Sequence, residues 1–413
     1  MIQPAEPAVY IQRGTAAFRR TNLAVFSAGF STFALLYCVQ PLLPVFSQVF
    51  GVSPAESSLS LSLTTIMLAL SVLVSGSLSE VWGRKSVMAV SLLSAALLNI
   101  IGALVPTWHA LLFVRALEGI AFSGLPAVAM AYLSEEMDRP SVGLAMGLYI
   151  GGSSLGGMLG RFISGFLADV ASWRMALGVI GLLGMLSAWI FWQTLPPSRH
   201  FHPRPLALGQ LHASFLEHLR DAGLPWLFIE GFLIMGSFVT TYNYIGYRLI
   251  AAPYGLSQTA VGAIFIVYLA GVGSSTWFGE LAGRLGRRKV FWATIALMLL
   301  GEAITLMSSL AVIIVGITIL TCGFFGAHSV ASSWVGLRAQ HSKAQASALY
   351  LCFYYFGSSI AGSCGGLFWS SGGWRAVVGF IGALLVLALL ISLRLSTLQP
   401  LTVAAPTQPP ASL

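Results

Sequence analysis

Five ionisable residues stand inside long apolar runs: Arg115, Glu118, Glu230, Glu302 and His328. Each such group costs ~2.5–3.5 kcal/mol on insertion scales, which makes every one a candidate for holding or moving a proton. Arg115 and Glu118 are three apart and share a helix face. There they form a fixed pair, or part when Glu118 takes a proton. Glu230 stands by itself, upstream of an aromatic and polar band that includes Tyr242, Asn243, Tyr244 and Tyr247. His328 either relays a proton or satisfies its ring within the packing. Tyr37 and Gln40, beside the kinking pair Pro41 and Pro44, offer a hydroxyl and an amide to a small polar solute. Arg161 and Arg248 fall near the ends of their runs, where a long side chain can snorkel to the interface.

The apolar runs that carry these groups define the molecule. The chain is 57% hydrophobic and 8% charged, whereas soluble domains carry about 25% charged residues. Twelve stretches are long enough to cross ~30 Å of hydrocarbon as helices. They fall roughly at 21–46, 56–79, 86–105, 109–133, 142–168, 174–195, 224–250, 257–278, 290–308, 311–334, 345–369 and 374–397. The expected fold is an all-α membrane protein of twelve transmembrane helices. The net charge of +8 does not gather into a patch for nucleic acid but spreads over alternate short loops. With both termini cytoplasmic, 16 of the 21 basic residues face the cytoplasm, as orientation by positive charge requires. Residues 1–18 lack the apolar core of a signal peptide.

The helices come as two similar sets of six. The turn Gly76-Ser-Leu-Ser-Glu80-Val-Trp-Gly83-Arg84-Lys85 returns as Gly279-Glu-Leu-Ala-Gly283-Arg284-Leu-Gly286-Arg287-Arg288. Gly-Val-Ser53 is echoed by Gly-Leu-Ser257, Leu148-Tyr149 by Leu349-Tyr350, and Trp173-Arg174 by Trp374-Arg375, at offsets of 201 to 204. The expected organisation is a six-helix bundle over 1–195, a cytoplasmic linker over 196–223, a second bundle over 224–397 and a disordered tail over 398–413. The linker histidines are irregularly spaced, so the linker reads as a solvated connector and not as a metal site. Small residues in the fifth run, including Gly147, Gly151, Gly152, Gly156 and Gly157, suit close helix packing and a seam that slides between the halves.

Twelve helices in two repeats, each with this basic turn, resemble the major facilitator superfamily. Gly76, Gly83, Arg84 and Lys85 match its loop signature, with Glu80 in place of the usual aspartate and Gly283 in the acidic position of the second copy. Arg115-Ala-Leu-Glu118-Gly119 and Gly152-Ser-Ser-Leu-Gly156-Gly157 are similar to its fourth- and fifth-helix signatures, with Ser153 where proline is usual. The resemblance implies alternating access around a cavity between the bundles, with proton-coupled efflux as the expected mode. It also implies that Gly76, Glu80, Gly83, Arg84 and Lys85 latch the cytoplasmic ends of the halves. Helix seven lines the cavity in this family, which favours Glu230, while Glu302 in helix nine falls at the periphery. The expected partners are a small molecule, protons and the lipid bilayer, with the chain a monomer in a bacterial inner membrane. No cofactor or metal is expected, and no nucleophile–base pair or phosphate-binding loop points to an enzyme.

Overall fold

The computed structural model describes residues 10–201 and 208–397. The expected disorder of 398–413 lies outside the described residues. Among the described residues ten helical stretches are long and apolar enough to cross a membrane. The last of them, Lys343–Thr397, runs for 55 residues and is interrupted by Gly372 and by Gly373 at φ 59°. A straight helix of that length would reach ~80 Å. It is therefore two crossings, 343–371 and 374–397. Arg287–Ile304 carries three cations and Glu302 and is less apolar, but it packs against both Leu310–Arg338 and the final helix. Among the described residues the crossings thus number twelve, and they are called spans one to twelve in chain order.

Local chemistry fixes the ends. Span two, Pro54–Trp82, begins with Ser53 and Glu56 bonding each other's backbone N–H and with proline at its first position, an arrangement that satisfies two otherwise unbonded donors. Ser257 caps span eight, Gln258–Leu285, in the equivalent place. Spans two and three, Arg84–Leu104, meet at Gly83, with φ 90° and ψ 144°. Spans eight and nine meet at Gly286, with φ 91° and ψ 137°. A side chain rarely adopts that backbone, so the repeated glycine is what makes the basic turn possible.

In each half, glycines bring a pair of helices into close contact. In the first, Gly152, Gly156 and Gly160 of span five, Arg139–Val170, lie against the backbone of span one, Ala16–Phe50, at Phe26, Phe30 and Ala34. In the second, Gly357 and Gly236 bring span eleven onto span seven, Leu224–Ile250. Gly152 and Gly156 therefore pack inside the first half instead of forming a seam between halves. Gly147 and Gly151 do not pack closely at all: a methyl group added at either would meet nothing within 4 Å.

Hydrogen bonds join the two halves at the end of the bundle opposite the linker. Ser363 donates to Ser62 at 2.8 Å, Thr65 and Ser359 share a hydrogen bond of 2.7 Å, and Tyr247 donates to the Leu43 carbonyl at 2.9 Å. Asp169, ending span five, accepts from the Gln258 and Thr259 backbone N–H at 3.1 and 2.6 Å. These are the exposed amides of a helix start, which attract a carboxylate.

At the linker end each half bonds to itself. Tyr132 donates to the Pro196 carbonyl at 2.9 Å, and His200 meets Glu136 and stacks on Tyr10. The helix Leu208–Arg220 lies on the second half, where His218 is buried and bonds the Ser342 carbonyl. The described part of the linker thus carries a helix that rests on the second half with most of its surface exposed; His202 and Arg204 lie outside the described residues. Asp221 accepts from Arg338 and from the Gly223 and Leu224 N–H groups. Burial pulls its carboxyl upward, yet these bonds outweigh that effect and hold it below the usual carboxylate range.

Candidate transport site

Proline places the first polar group. Pro41 breaks span one after Tyr37, and a short tight turn over Gln40–Leu42 follows before the helix resumes at Leu43. The Gln40 side chain then lies between the halves. Its Nε2 donates to Asn243 Oδ1 at 2.8 Å, and its Oε1 accepts from Arg161 Nε at 2.7 Å. Arg161 is 2% exposed. It does not snorkel as its place near the end of span five suggested. Its Nη1 turns back to the Gly157 carbonyl at 2.7 Å. A methyl group on Gly157 would stand 3.2 Å from that nitrogen, so this glycine makes room for the guanidinium.

Three rings surround Arg161. Its Cζ lies 4.2 Å from the ring centre of Tyr37, 4.6 Å from Phe265 and 5.0 Å from Tyr268, within reach of cation–π attraction. Tyr242 stacks on Phe265 and bonds Thr321 at 2.7 Å. Four of the five expected cavity residues, Tyr37, Gln40, Tyr242 and Asn243, therefore gather here. Tyr244 does not; it donates to the Gly362 carbonyl and packs span seven on span eleven.

The proton candidates fall into two places. In the first half Arg115 pairs with Glu118 and donates to the carbonyls of Ser60, Leu35 and Leu36. It ties spans one, two and four, Trp108–Glu136, together beside the break in span one. In the second half Glu230 is fully buried, and neither carboxyl oxygen finds a hydrogen-bond partner among the described residues. On the next residue, Gly231, a methyl group would meet the Tyr350 ring at 2.8 Å, and Tyr350 OH bonds His328 Nδ1 at 2.9 Å. Glu302 is buried as well and accepts from Thr241 at 2.8 Å.

The basic turn works within its own half in this structure. Arg84 reaches Glu135 at 2.8 Å, Glu80 at 3.8 Å and also Ser79, while Lys85 donates to the Leu195 carbonyl at 2.6 Å. Gly76 supplies a carbonyl to Arg84 at 3.4 Å. The expected Glu80 partner is present, but Glu135 is much the closer.

The whole-chain comparisons bear on what such a molecule is. The family model described as Major Facilitator Superfamily matches residues 25–249 and 227–411. The chain belongs to the major facilitator superfamily. It is 52% identical to the inner membrane transport protein YnfM of Escherichia coli (strain K12), covering 95% of this chain and 94% of that one. It is 51% identical to the uncharacterized MFS-type transporter YybF of Bacillus subtilis (strain 168), over 93% and 95%. The solved nucleoside transporter NupG superposes with a TM-score of 0.76 at 15% identity, over 91% of this chain and 99% of that one. This superfamily member is thus a multi-pass transporter and not an enzyme.

Sequence reading sent Arg161 to the interface instead of the site and gave Asp169 and Glu135 no role. For Arg161 a signal existed: a cation in an apolar run with no acid within a helical turn on either side. Asp169 and Glu135 gave none, because their partners lie at separations of 90 and 51 residues.

Proposed function

We propose that the protein is a secondary transporter of the bacterial inner membrane that exports a small organic solute in exchange for protons. Residues 1–195 and 224–397 act as two bundles rocking about a site near the midplane, with both termini and the linker in the cytoplasm. One observation carries the reading: hydrogen bonds close the halves together at the end away from the linker, while at the linker end the charged groups bond within each half. With the linker inside, this is the inward-facing state. Arg84 is then the gate residue at rest, held by Glu135 and free to latch the halves when the outer end opens.

Glu230 supports the proton coupling. A buried carboxylate without a partner is costly while charged, and taking a proton removes that cost. Tyr350, which bonds His328, packs on the neighbouring Gly231, so a polar pair lies close to this carboxyl. Glu118, tied to a fully engaged Arg115, suits a structural part. Purified protein in proteoliposomes should move solute against its gradient when a pH gradient is imposed, and should stop when a protonophore collapses it. Flux unaffected by the pH gradient would sink the coupling.

A further inference from the structure

Arg161 is a buried cation without an anion. Among the described residues no carboxylate lies within ion-pair distance of it; Gln40 and Gly157 offer neutral oxygens, and three rings cover its faces. Its Nη2 makes no hydrogen bond among the described residues. Asn243 Nδ2, on the other flank of the Gln40 amide, is buried and also unpartnered. Two orphan donors thus flank one amide at the junction of the halves. Arg115 offers the contrast: it is as deeply buried, but Glu118 and three carbonyls satisfy it.

We infer that Arg161 and Asn243 bind the carboxylate of a small organic anion, whose apolar body rests against Tyr37, Phe265 and Tyr268. The inference rests on the transporter reading above and names its substrate class. An isolated buried guanidinium is costly, and a carboxylate is the partner its planar fork fits best. The rings supply apolar area but no charge, so a neutral solute would leave the cation uncompensated and a cationic one would be repelled. Tyr37, Gln40 and Arg161 come from the first half, Asn243, Phe265 and Tyr268 from the second. Parting the halves at the outer end therefore dismantles the site and releases the anion.

Thermal stabilisation of the purified, detergent-solubilised full chain tests this without any gradient, so failed coupling and failed recognition remain separable. The probes are benzoate, its neutral amide benzamide, and the tetraphenylphosphonium cation. Benzoate should stabilise the protein with an apparent Kd at least tenfold below that of benzamide, and tetraphenylphosphonium should not stabilise it. Arg161→Lys should retain the preference for benzoate with weaker affinity, and Arg161→Gln should abolish it. Equal binding of benzoate and benzamide, or preferential binding of the cation, would overturn the inference. So would an Arg161→Gln protein that still prefers benzoate. If Arg161→Gln does not fold, the three-probe comparison on the unaltered chain decides alone, and a protein that responds to none of the probes also counts against the site.

Discussion

Glu118 and Glu230 are both fully buried carboxylates, but their surroundings are opposite. Glu118 neutralises Arg115, so Glu118→Gln leaves that cation in the core. Breaking a buried pair costs about 3–5 kcal/mol, and because Arg115 keeps its three carbonyl partners the loss should lie near the lower figure. Glu230→Gln removes no hydrogen bond seen in the structure. It should melt at the temperature of the unaltered protein yet lose exchange driven by a pH gradient. Melting curves and gradient-driven flux on both variants make the comparison. Intact coupling in Glu230→Gln would take the proton away from this carboxylate and leave His328 or an uncoupled mechanism. The sequence identified both glutamates because an acid in an apolar run is conspicuous. It could not rank them, since the three carbonyls that occupy Arg115 come from spans one and two.

At the scale of helices, the signals that were legible are those written within a few residues. The serine caps at Ser53 and Ser257 and the glycines at Gly83 and Gly286 mark equivalent ends in each half. The packing of Gly152 and Gly156 was legible only as a spacing. Small residues at every fourth place say that a helix is approached closely, not which helix approaches, and span one proved to be the neighbour. The contact between Asp169 and the start of span eight was not legible at all. It places a carboxylate on the amides that open a helix, an interaction worth about 0.3–1 kcal/mol. Asp169→Asn should therefore shift the balance between inward- and outward-facing states by about two- to fivefold toward opening of that end. Spin-label distances across the outer end, compared in the variant and the unaltered protein, read the change directly. An unchanged distribution would mean that the cap orders a loop without holding the gate.

For the whole molecule, duplication explains why the architecture could be read more fully than the site. The repeat appears in sequence as landmarks about 201 to 204 residues apart. The candidate site draws on both copies, Arg161, Gln40 and Tyr37 on one side and Asn243, Phe265 and Tyr268 on the other, and its central amides, Gln40 and Asn243, stand one repeat apart at 203 residues. A gate made of contacts between the copies also gives the firmest test of rocking motion. Ser62 and Ser363 carry hydroxyls 2.8 Å apart across the outer junction. Cysteines at those two places, in a background with Cys38, Cys322, Cys352 and Cys364 replaced, are close enough for a sulfur–sulfur bond of ~2.05 Å. Oxidation should then lock the halves together at that end. Transport should fall to background and return on reduction, while a cysteine placed near Gly83 at the linker end stays open to an aqueous label throughout. Either single cysteine should leave flux indifferent to oxidant. Should the oxidised pair carry solute at the reduced rate, the outer ends do not part during the cycle, and the two bundles cannot be alternating about this junction.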